Sequence, residues 1–113
     1  MTKDDVMTPI LSDDATWVHA APGVRRAVLS NRPELMLVAV RFEAGALGAP
    51  HSHHHVQASY VAEGRFEVTI DGVTTRLGPG DSFVVAPDLL HGVVAVEPGL
   101  LIDAFTPRRD DFL

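Results

Sequence analysis

Apolar and polar positions alternate with period two along most of this chain, and the breaks between alternating segments carry turn residues. The clearest case is a hairpin. Phe66, Val68 and Ile70 alternate with Arg65, Glu67 and Thr69, then Asp71-Gly72 follows and the chain returns through residues 73–77. Asp-Gly suits a type I′ turn, whose two central residues both need positive φ. The same alternation predicts strands over 24–30, 35–43, 57–63, 82–86, 92–97 and 100–106, divided by Pro- and Gly-bearing turns at 31–33, 45–50, 78–80, 86–88 and 98–99. Several short strands with almost no helical period predict an all-β sandwich or barrel. The first sixteen residues read as a loose segment ahead of one domain spanning residues 17–113.

Composition narrows the partners. The chain of 113 residues is 46% hydrophobic and 21% charged, as expected of a globular domain with its own core. A net charge of -6 argues against a nucleic-acid partner, because phosphate binding needs clustered Lys and Arg. The only adjacent basic pairs are Arg25-Arg26 and Arg108-Arg109, enough for a small anion. No cysteine is present, which removes disulfides, thiolate nucleophiles and Cys-bound zinc. No stretch has the length or apolarity of a signal peptide or a bilayer span, so no membrane partner and a cytoplasmic location are expected.

Histidine supplies the candidate chemistry. Five of the six histidines fall in two places, the run His51-Ser52-His53-His54-His55 and the distant His91. Residues two apart on an extended strand share a face, so His51 and His53 can converge on one ion while His54 turns away. Gln57 opens the next predicted strand and His91 follows a turn containing Pro87. If the sheet curls, three imidazoles and an amide oxygen meet around one divalent ion. Nitrogen and oxygen ligation suits Ni, Zn, Mn, Co and Fe alike. These four ligands are all neutral, so the ion keeps its +2 charge as a Lewis acid and attracts anions.

A second signal lies near the C-terminus. In residues 100–106 both faces are mostly apolar, and Asp103 is the one carboxylate. An acid in such a strand needs a partner or a task. Ser59 shares the Gln57 face and is placed to touch substrate, Phe105 is expected to form a wall, and Arg26 either reaches the cavity mouth as a carboxylate partner or, the commoner case for a strand arginine, stands exposed.

The spacing of these residues resembles the cupin family. Gly45, His51, His53, Gln57 and Gly64 stand at the intervals of its first motif, and Gly80, Ala86, Asp88, His91 and Ala95 at those of its second. Gln57 replaces the usual Glu ligand, and Ala86, Asp88 and Ala95 replace residues that shape the turn and the following strand. Tyr60-Val61 with Glu63-Gly64, the run from Val68 to Gly72, and a tail with Leu101, Asp103, Phe105, Pro107, Arg109 and Asp111-Phe112-Leu113 further resemble the KdgF group of pectin-degradation cupins. That resemblance implies a jelly-roll barrel, usually a homodimer. It also implies an enzyme that opens 4,5-unsaturated monouronates, small anionic sugars, to 5-keto-4-deoxyuronate. Metal ligation then falls to His51, His53, Gln57 and His91, and catalysis to Asp103 and Arg109, with Arg108 the alternative holder of the substrate carboxylate. A small cupin dioxygenase, another metal-dependent isomerase or lyase, or a non-catalytic sugar-binding cupin would use the same ligands.

Overall fold

The computed structural model describes residues 9–113, and within them ten strands form two antiparallel sheets. The strands are β1 (Trp17–Ala21), β2 (Val24–Arg32), β3 (Leu35–Phe42), β4 (Leu47–His51), β5 (Val56–Glu63), β6 (Phe66–Ile70), β7 (Val73–Leu77), β8 (Ser82–Val85), β9 (His91–Ala95) and β10 (Gly99–Thr106). Six pair in the order β1-β2-β3-β10-β5-β8 and four in the order β4-β9-β6-β7. Of the expected loose segment, residues 1–8 lie outside the described residues, and 9–16 hold one short 3-10 turn, Ser12–Asp14, with nothing buried.

The hairpin forms as its turn chemistry requires. Asp71 and Gly72 have φ of 49° and 83°, and Ile70 pairs with Val73 across them. Two strands escape the alternation rule. Both β1 and β4 are edge strands with almost no buried residue, so no apolar face betrays them. In β4, Gly48 and Pro50 read as a turn, yet an edge strand tolerates Pro because one row of its N–H groups has no ladder partner to lose.

The core joins the sheets. Val24, Phe42, Val61 and Leu101 from the larger sheet pack with Phe66, Val68 and Ala95 from the smaller. Phe66 is fully buried and meets the Phe42 ring edge-on at 5.2 Å. A side chain at Gly99 would enter that ring, since its Cβ would lie 2.6 Å from Phe66. Phe66→Ala therefore opens a cavity between the sheets, and urea unfolding is expected to show a loss of about 3–5 kcal/mol.

Register carries the polar residues inward. On β2, β3, β10, β5 and β8, Val28, Val38, Asp103, Ser59 and Phe83 form one row across the sheet. Met36, Phe105, Gln57 and Val85 form a neighbouring row. Period two places both rows on the interior face, so a carboxylate, a hydroxyl and an amide enter two otherwise apolar rows.

Candidate metal centre

His51 ends β4, His91 begins β9, and the two are cross-strand partners with ring centroids 4.4 Å apart. His53 reaches them by a different route from the expected one, because the chain leaves the strand after His51. Its ring lies 4.8 Å from that of His91 and 5.4 Å from that of His51. Asp88 anchors this loop by donating its backbone N–H to the His53 carbonyl at 2.8 Å. Its φ of 67° is the left-handed conformation that Gly, Asn and Asp tolerate best, so Asp88 serves the turn in place of glycine.

Hydrogen bonds set which nitrogen faces the centre. Nδ1 of His51, His53 and His91 lies 2.9, 3.0 and 2.9 Å from the carbonyl oxygens of Ala49, His55 and Leu89. Carbonyls only accept, so each Nδ1 carries the proton and each neutral imidazole presents a bare Nε2. The ligand atoms of the three rings lie within 4.8 Å of one another. Burial holds His91 below the usual imidazole range and so favours its neutral form.

Gln57 completes the set. Its amide nitrogen donates to Ser59 Oγ at 2.9 Å, which turns Oε1 toward His53 Nε2 at 3.0 Å and His91 Nε2 at 3.2 Å. Lone pairs then converge with no proton between them. That arrangement is repulsive alone and satisfied by a cation, and backbone-anchored Nδ1–H groups are how metal-binding histidines are usually oriented. The donor set of three imidazoles and one amide oxygen fits a divalent transition metal.

The hydrogen-bond chain continues inward. Ser59 donates to Asp103 Oδ1 at 2.6 Å, so one relay joins Asp103 to Ser59 and Gln57. Burial pushes the Asp103 carboxyl up to about 6, against the opposing pull of the Ser59 hydrogen bond and the Arg109 charge. Ser59, expected from its face to touch substrate, is buried and is not among the residues lining the neighbouring cavity, its hydroxyl accepting from Gln57 and donating to Asp103.

A cavity of about 280 Å³ lies beside this relay, and its lining includes His51, Gln57, His91, Asp103, Phe105 and Arg109. Phe105 forms a wall, 5.8 Å from the His53 ring. Arg109 packs over the Phe105 and Phe112 rings at 5.2 and 4.3 Å and is bound through Nε and Nη2 to Asp111. Arg108 turns away from this cavity to Asp110, and Arg26 reaches it. His54 is exposed, and His55 is buried outside the three-histidine group.

Phe112 lines the cavity and Asp111 holds Arg109 beside it, two roles with no forewarning in the period-two pattern of the chain. The signal available was one aromatic in an otherwise charged tail, with an acid two residues after Arg109. The Ala20–Ala21 and Leu47–Ala49 stretches of the cavity rim lie on the two unforeseen edge strands.

Known proteins share this architecture. A family model described as "Cupin domain" matches residues 38–105. The pectin degradation protein KdgF of Dickeya dadantii (strain 3937) is 42% identical over 105 residues, which are 91% of this chain and 96% of that protein. The solved structure of KdgF from Halomonas sp. matches with a TM-score of 0.90 at 44% identity, over 94% of this chain and 98% of that one. An RmlC-like cupin from Shewanella frigidimarina NCIMB 400 matches with a TM-score of 0.90 at 42% identity, over 93% and 95% of the respective chains.

Proposed function

Because the chain belongs to the cupin family, and within it to the relatives of the pectin degradation protein KdgF, we propose that it linearises 4,5-unsaturated uronates in pectin or alginate breakdown. The observation that carries this reading is the buried Asp103, coupled through Ser59 to the amide that faces three imidazoles. A buried carboxyl titrating near 6 can both take and return a proton near neutral pH.

The reaction is an isomerisation and needs no external oxidant. Asp103 takes the proton of the anomeric hydroxyl, C1 becomes a carbonyl, and the C1–O5 bond breaks. The electron pair remains on the enol oxygen at C5, and Asp103 returns the proton to C4 as the C5 ketone forms. Arg109, fixed by Asp111, gives the substrate carboxylate a cationic contact beside Asp103. Phe105 keeps water from one side of the reacting atoms. His51, His53, Gln57 and His91 would hold a divalent ion, which when bound supplies Lewis acidity to substrate oxygens.

Incubation of the metal-loaded protein with 4,5-unsaturated galacturonate is expected to remove the vinyl proton signal in NMR faster than spontaneous ring opening. No acceleration over that baseline sinks the reading. Oxygen uptake by iron-loaded protein, with the double bond intact, replaces it with a dioxygenase.

A further inference from the structure

Two arginines reach the cavity, and the fold treats their charges differently. Arg109 is ion-paired with Asp111, with Nε and Nη2 at 3.0 and 2.9 Å from the two carboxylate oxygens. Asp111 thereby takes one edge of the guanidinium and leaves the remaining hydrogens free. Arg26 joins no ion pair among the described residues, and its Nε is buried without an acceptor. A buried, unsatisfied donor costs the folded state free energy, most of all on a charged group.

Strand parity explains how it came to be there. Arg26 lies between Val24 and Val28 on the inward face of β2 and pairs with Val40, which also pairs with Leu101. That row is one pleat from the row holding Asp103. The position would suit an apolar residue, and a guanidinium occupies it.

The C-terminal turn holds that guanidinium in place. The Arg26 guanidinium carbon stands 4.0 Å from the Phe112 ring centroid, and that of Arg109 stands 4.3 Å from the same centroid. A ring face attracts each cation while accepting no hydrogen bond that would satisfy it. Phe112 thus keeps two guanidinium groups beside one ring, with the unneutralised one still short of an anion.

We propose that Arg26, held by Phe112, is the charge-selecting anchor of the cavity, which shares a sugar carboxylate with Arg109 and sets the preference for uronates over neutral sugars. This rests on the uronate reading of the site. Arg26 contributes a guanidinium charge that has no ion-pair partner among the described residues, and Arg109 contributes the hydrogens that Asp111 leaves free. Both act on binding, whereas Asp103 acts on the proton.

Two measurements test the anchor independently of turnover. Calorimetry with saturated galacturonate, which cannot react, should show binding to the wild type and much weaker binding of galactose. Arg26→Gln should weaken galacturonate binding by about 10- to 100-fold and raise KM for the unsaturated uronate similarly, with kcat within about threefold. Arg26→Lys should recover part of the affinity, because it keeps the charge but loses the planar fork that lies on the ring. Phe112→Leu, which retains an apolar side chain without the ring quadrupole, should cost about 3- to 10-fold. Arg76→Gln removes the same charge from an exposed pair with Glu67 and should change neither quantity.

The failures are distinguishable. Arg26-dependent galacturonate binding without linearisation upholds the anchor and discards the proposed reaction. Equal wild-type affinity for galacturonate and galactose overturns the anchor. So does folded Arg26→Gln protein with KM and galacturonate affinity within about twofold of wild type.

Discussion

Asp103→Asn is expected to leave the three-imidazole cluster in place and lower turnover of an unsaturated uronate by about 10²- to 10⁴-fold, the usual contribution of a positioned proton-transfer group. Asparagine is nearly isosteric, and its carbonyl oxygen can still accept from the Ser59 hydroxyl. What it cannot do is exchange a proton. Metal content measured alongside turnover separates loss of chemistry from loss of the centre, and undiminished turnover with metal retained would remove Asp103 from catalysis.

The same substitution has a stability signature. Asp103 titrates at 3.8 in an unstructured chain and at about 6 when folded, so between those values the folded state binds more proton than the unfolded state. Its contribution to stability is fully present below pH 3.8 and disappears as pH rises through about 6. The rise from 3.8 to about 6 corresponds to about 3 kcal/mol. Metal-free Asp103→Asn protein should therefore match the wild type near pH 4 and exceed it by up to about 3 kcal/mol at pH 8, measured by urea unfolding. Identical pH profiles would mean that burial does not raise this carboxyl.

His91→Ala is expected to abolish tight metal binding. Its ring is buried, its Nδ1 is tied to the Leu89 carbonyl, and its Nε2 faces both His51 and the Gln57 oxygen. Loss of an outer-shell partner typically weakens metal binding by about 10- to 100-fold, and removing a ligand should exceed that. The readout is thermal. A metal present at about 100 times its Kd stabilises the folded protein by about 2.7 kcal/mol through binding linkage, and the variant should gain almost none of it. His54→Ala, three residues before Gln57 but exposed and outside the group, should keep the full gain.

These expectations depend on features with different visibility in the sequence. The hairpin at Asp71-Gly72, the central strands and the candidacy of His51, His53, Gln57 and His91 follow from period, turn chemistry and spacing, whereas the meeting of His51 with His91 needs the pairing of β4 with β9. Asp103 is visible because a lone carboxylate interrupts an apolar strand. The strands β1 and β4 are not visible, because an exposed edge strand has no buried face to set its period. Ser59 is legible as inward-facing, but its commitment to both Gln57 and Asp103 appears only when β5 and β10 are paired in register.

The all-β class, the inward parity of Gln57, Ser59 and Asp103, and the residue types able to hold a divalent ion are legible in the amino-acid order alone. Those properties are local, set by the two-residue repeat and by side-chain chemistry. The packed fold adds that Asp103 reaches the imidazoles through a hydroxyl and an amide, and that Arg109 enters the cavity while Arg108 turns to Asp110. It also decided that Phe112 gathers Arg26 and Arg109 around one ring. Those outcomes depend on strand register and on the path of the last turn, which bring together residues up to 86 positions apart.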